Sequence, residues 1–170
     1  MLSGHIGLLH FITSLIALAT GTYVLAIAKG SKKHKQIGYV YAVSMLILLA
    51  TSFMLYNLHG SFGILHWFSV ISSLTLLGGM VPIWLKKPKK TYLHYHFSFM
   101  YWSVIGLYSA FLAEILTRLP PLFGVSDNLM PVFYTLVGLA AAVVGGIGSV
   151  YFKKYKNRWL AIVEGAKTMV

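Results

Sequence analysis

The sequence contains no cysteine, which excludes disulfides and thiolate metal ligands and leaves the redox compartment unmarked. Carboxylates are nearly as scarce. Glu114, Asp127 and Glu164 stand against 14 lysines and arginines, a formal net charge of +11 in 170 residues. Asp127 falls in a predicted loop, so no Ser-His-Asp arrangement is available, and no second carboxylate lies in any apolar run beside Glu114. Phosphate-cradling glycine loops, internal repeats and low-complexity segments are also missing. What the chain does have is hydrophobic residues, 58% of the total. They fall in separate uninterrupted runs of about twenty, more than a soluble core of this length supplies. The expected class is all-α, a polytopic membrane bundle of five transmembrane helices.

The basic residues sit in short clusters beside these runs, which is a topology signal and not a nucleic-acid signal. Span one is predicted from about His5 to Ala28 and is followed by KGSKKHK. Span two, about Ile37 to Leu58, ends in the tight HGSFG turn. Span three, about Phe62 to Leu85, meets KKPKK, where Pro88 forbids continuation. Span four runs from Tyr92 to Pro120-Pro121, and span five from Pro131 to Phe152. Residues 1–152 are thus expected as the bundle and 153–170 as a basic tail, with a short interfacial helix or a frayed end. The lysine clusters after spans one, three and five fall on one side. The positive-inside rule therefore puts the N-terminus outside and the C-terminus in the cytoplasm, with span one retained as a reverse-oriented helix. Small residues at Gly138, Ala142, Gly145, Gly146 and Ser149 predict close helix contact on span five, within the bundle first and in an oligomer second.

Span four is exceptional because it carries His94, His96, Glu114 and Arg118. An ionisable group inside a spanning helix costs a few kcal/mol or more on insertion scales, so it normally faces protein and marks function. His96 and Glu114 lie on one face, roughly 27 Å apart along the axis, with Met100, Ser103, Leu107 and Ala110 between them. At the outer side, His10 on span one, His66 on span three and Glu114 on span four share a level roughly 6 Å below the surface. Two imidazoles and a carboxylate suit a divalent metal ion, zinc above all, with iron or manganese as alternatives. His5 and His59 are additional candidates, and Tyr56, Asn57 and Tyr134 are candidate partners that orient ligands. For His5, His59 and His94 an interfacial hydrogen-bonding role is the plainer expectation. Glu114 also reads as an i,i+4 partner of Arg118.

Several ordered pieces, the His10 region through AlaLeuAlaThrGly to Gly21, KGSKKHKQIGYVYAVSM, FGILHWFSVISSLTLLGG and HYHFSFMYWSVIGLYSAFLAEILTR, resemble a bacterial membrane family, the domain-of-unknown-function 2306 group. The resemblance spans most of the chain through span four. It implies a multi-helix protein of the bacterial cytoplasmic membrane and brings His10, His34, His66, His96, Trp102, Ser103, Glu114 and Arg118 into its motifs. It implies no activity.

Three functions compete. In the first, His10, His66 and Glu114 hold a metal ion that activates water against a lipid or other small-molecule substrate. In the second, His10 with His66 and His34 with His96 form two histidine pairs, on spans one and three and on spans two and four, as two stacked b-type haems require. Gly21 and Gly106 would make room for the macrocycle, whereas His34, placed ahead of span two, counts against this reading. The third is a small transporter or proton pathway along His96, Ser103 and Glu114, without the inverted repeats or broken helices common in transporters.

Overall fold

The structure, a computed structural model, describes residues 4–55, 62–124 and 129–168. Among them there are five helices and no strand: α1 (His5–Ala26), α2 (Lys32–Ser52), α3 (Ile64–Leu85), α4 (Tyr92–Leu122) and α5 (Leu129–Thr168). Each is long and apolar enough to cross a membrane. Their surfaces agree with that, since Leu74, Leu85, Trp67 and Val150 are all more than half exposed. In water such faces would collapse or associate; against lipid tails they are at home. Hydroxyls in the spans bond to their own helix: Thr13, Thr20 and Thr22 donate to the carbonyls four residues back. Hydrocarbon offers them no other partner.

The helix boundaries differ from the expected ones where a cap outweighs hydropathy. α2 begins five residues early because Ser31 caps it, its hydroxyl accepting from the His34 amide at 3.1 Å. Such a cap is worth about 1 kcal/mol. α3 ends at Leu85 as expected, where Lys86 turns left-handed, φ 52° and ψ 37°, two residues ahead of Pro88. α4 runs through Pro120 to Leu122, and α5 continues as one helix of 40 residues into the tail.

Two compact units are present, Met1–Val104 and Ile105–Val170. In the first, α4 touches each of the other three helices. The Tyr41 ring of α2 and Val104 of α4 fill the space beside Gly21 of α1, where an added Cβ would stand 2.9 Å and 3.3 Å from them. Gly78 and Gly79 of α3 lie as closely against Phe99 and Met100. Tyr41 and Ser103, both almost fully buried, share a hydrogen bond of 2.8 Å between α2 and α4. Apolar helices gain little from one another in lipid, so close approach at small residues and buried hydrogen bonds set their register.

In the second unit, the close contact on α5 is made at Gly148, whose Cβ position lies 2.8 Å from the Ile105 side chain. The residues expected to do this, Gly138, Gly145 and Gly146, meet nothing within 4 Å among the described residues. The spacing of small residues identified the helix but not the face that packs.

Candidate paired-histidine site

The seven histidines separate by what their ring nitrogens meet. His59, with Tyr56 and Asn57, lies outside the described residues. His5 is exposed in the first turn of α1, and Tyr134 is about half exposed. His94 rests against the neighbouring Tyr95 ring.

His10 places Nδ1 at 3.0 Å from Thr51 Oγ1 of α2. The Thr51 hydroxyl hydrogen is already directed to the carbonyls of Ile47 and Leu48, 2.9 Å each. The oxygen therefore accepts from His10 Nδ1–H, and Nε2 carries the lone pair. His66, the third residue of α3, does the opposite: its Nδ1 accepts from the Gly63 amide at 3.1 Å. In the neutral ring its hydrogen is then on Nε2. Ligation through Nε2 would cost His66 either that cap or a second proton. Phe62 stacks on the same ring, with centroids 4.9 Å apart. Glu114 forms an ion pair with Arg118, four residues on, and both side chains are about half exposed. Among the described residues, no group of three or more histidines and carboxylates gathers as a metal site.

The close pair lies at the other end, beside the basic loops. His34 in the first turn of α2 and His96 in α4 have ring centroids 6.5 Å apart and planes at 85°. His96 Nδ1–H donates to the Gly79 carbonyl of α3 at 2.8 Å, which fixes the ring and leaves the lone pair on Nε2. His34 Nδ1 is buried and meets no hydrogen-bond partner among the described residues. Register explains why the two rings face each other. Tyr41 lies seven residues beyond His34 on α2 and Ser103 seven beyond His96 on α4, two turns along the same face in each helix. The Tyr41–Ser103 hydrogen bond therefore keys both helices at a second level. The objection that His34 precedes its helix does not stand, since the Ser31 cap brings it inside α2.

Sequence reasoning named His34 and His96 but missed what orients them, Gly79 and the Tyr41–Ser103 pair. The matched seven-residue spacings on two polar-striped helices were the available signal. Gly21, expected to make room for a macrocycle, is instead filled by Tyr41.

A family model described as "Predicted membrane protein (DUF2306)" matches residues 7–155. No curated protein and no solved structure matches.

Proposed function

Since the chain belongs to the DUF2306 family of predicted membrane proteins, a description that names no activity, we propose from the site that it is an electron-transfer membrane protein holding a b-type haem between His34 and His96. The observation that carries this reading is the spacing of the two rings. Imidazoles bound to one ion at about 2.0–2.1 Å have centroids about 6 Å apart on opposite sides of it and about 5 Å apart at the tetrahedral angle. The observed 6.5 Å, in an edge-to-face pair, lies close to the separation that two ligands of one ion would have. His34 and His96 are the two residues that would hold the haem, which can take protein ligands of this kind.

The donor chemistry supports the same choice. Gly79 keeps the lone pair of His96 on Nε2, and His34 has a buried nitrogen that lacks a hydrogen bond. Lys32, Lys33 and Lys35 in the first turn of α2 would match the carboxylate edge of the macrocycle. When bound, haem supplies a one-electron couple. The protein's part is to hold the two rings opposed, keep the His96 tautomer and exclude water with the Met100 and Phe99 side chains packed on α3.

The test is an absorption spectrum and elemental analysis of one purified sample expressed with ample haem. A Soret band is expected, lost in His34→Ala and in His96→Ala while both variants still insert and purify. A parent protein without a Soret band, or one that keeps its full intensity in both variants, removes the proposal. Stoichiometric zinc without haem would overturn the haem reading.

A further inference from the structure

α5 leaves the bilayer without a break, being one helix from Leu129 to Thr168. About 20 residues cross the hydrocarbon, which puts Ser149 near its edge and Tyr151 to Lys156 in the headgroup layer beyond. Three lysines lie at that depth, Lys153 and Lys154 exposed and Lys156 half-buried. Among the described residues the one ion pair is that of Glu114 with Arg118, so none of the three ammonium groups has a carboxylate partner there. The next carboxylate along the chain, Glu164, comes eight residues after Lys156, roughly 12 Å on.

Aromatic rings restrain two of these cations. Tyr151, Tyr155 and Trp159 recur every four residues on one stripe of α5, with successive ring centroids 6.0 Å and 5.5 Å apart. Lys154 and Lys156 flank Tyr155, each about 100° from it around the helix. Lys154 Nζ stands 5.5 Å from the Tyr155 ring centroid, and Lys156 Nζ 5.9 Å from that of Phe152. Attraction to a ring face holds an ammonium without neutralising it, and its N–H donors stay available to an anion.

We propose that Tyr151 to Lys156 form a binding surface for the headgroup of an anionic phospholipid. Lys154 and Lys156 meet the phosphodiester, Lys153 adds to the field from the far side of the helix, and the tyrosine rings lie against the glycerol and upper acyl carbons. Charge complementarity selects this occupant. A zwitterionic headgroup brings its own cation and gains little net attraction, whereas an anionic one places unbalanced charge at the depth of the lysines. Each lysine near an anionic surface contributes roughly a fivefold preference. By the positive-inside rule this is the cytoplasmic leaflet, whose surface carries anionic lipid. The inference does not depend on the group bound by His34 and His96.

The test is native mass spectrometry of the full chain in a nonionic detergent, titrated with phosphatidylglycerol or with phosphatidylcholine of the same acyl chains. The parent should hold phosphatidylglycerol at least about fivefold more tightly. That preference should disappear when Lys153→Gln, Lys154→Gln and Lys156→Gln are combined. It should survive in a control combining Lys86→Gln, Lys87→Gln, Lys89→Gln and Lys90→Gln, which removes more charge from another loop. A parent without the preference overturns the proposal. So does an equal loss in both variants, which would show attraction to net charge alone. Displacement of the lipid by inorganic phosphate at constant ionic strength also overturns it, because the occupant would then be a soluble anion. Should the α5 variant fail to insert, the parent is irradiated in vesicles containing phosphatidylglycerol with a photoreactive headgroup, and the crosslinked peptides are mapped. Crosslinks between Tyr151 and Trp159 are expected; crosslinks confined to other segments overturn the proposal.

Discussion

At the scale of single residues, the chemistry is set by which nitrogen of each imidazole carries the hydrogen. Thr51 directs the His10 lone pair to Nε2, Gly79 does the same for His96, and the Gly63 amide assigns the reverse form to His66. Composition shows seven histidines, but it cannot show these tautomers, because each depends on a neighbour from another helix or on a local cap. Lys29 provides a pH prediction at this scale. Its ammonium is lowered to about 8 from 10.5 by burial, so between those values the unfolded chain binds more protons than the folded one. Stability then rises with pH across that window. Lys29→Met removes the titration. The stability of the parent relative to Lys29→Met should therefore increase between about pH 8 and 10.5, as measured by thermal unfolding in detergent at several pH values. A constant difference would show that Lys29 keeps an ordinary ammonium.

At the scale of helices, packing is controlled by where backbones come close. Gly21 has no room for a side chain, because Tyr41 occupies it. Gly21→Val would overpack this contact and should cost about 1–3 kcal/mol, read as a lower unfolding temperature. It should also disturb the spectrum of the proposed haem, because Tyr41 keys α2 against α4. Tyr41→Phe is milder: it removes one buried interhelical hydrogen bond, and in membrane bundles these average about 0.6 kcal/mol. Spectral change in Gly21→Val with little loss of stability in Tyr41→Phe is the expected combination. A Gly21→Val protein as stable as the parent would mean that α1 and α2 do not meet at this glycine. The helices themselves were legible in the sequence because apolar runs of spanning length have few alternative folds. Their ends were less legible. Ser31 starts α2 five residues early through cap geometry, about which the hydropathy of the segment is silent.

At the scale of the whole molecule, five spans and three lysine clusters predict an N-terminus outside and a C-terminus in the cytoplasm. A fluorescent-protein fusion at the C-terminus should fluoresce, and an alkaline phosphatase fusion there should be inactive. The opposite pattern would invert the topology and place the His34–His96 pair on the extracytoplasmic side. α5 continues as helix past the span into the basic tail, where Tyr151, Tyr155 and Trp159 stack four residues apart. Aromatic rings followed by lysines are the usual composition of a membrane–water boundary.

By itself the sequence determined that this is a helical membrane protein with five spans, because hydrocarbon tolerates only long apolar segments whose backbone bonds close within themselves. It also excluded thiol chemistry and left only three carboxylates. Which histidines become partners was decided only in the tertiary structure. Depth along a span follows from counting residues, but the direction in which a ring points depends on rotation and register between helices, and here those are set by glycine contacts and one buried tyrosine–serine hydrogen bond.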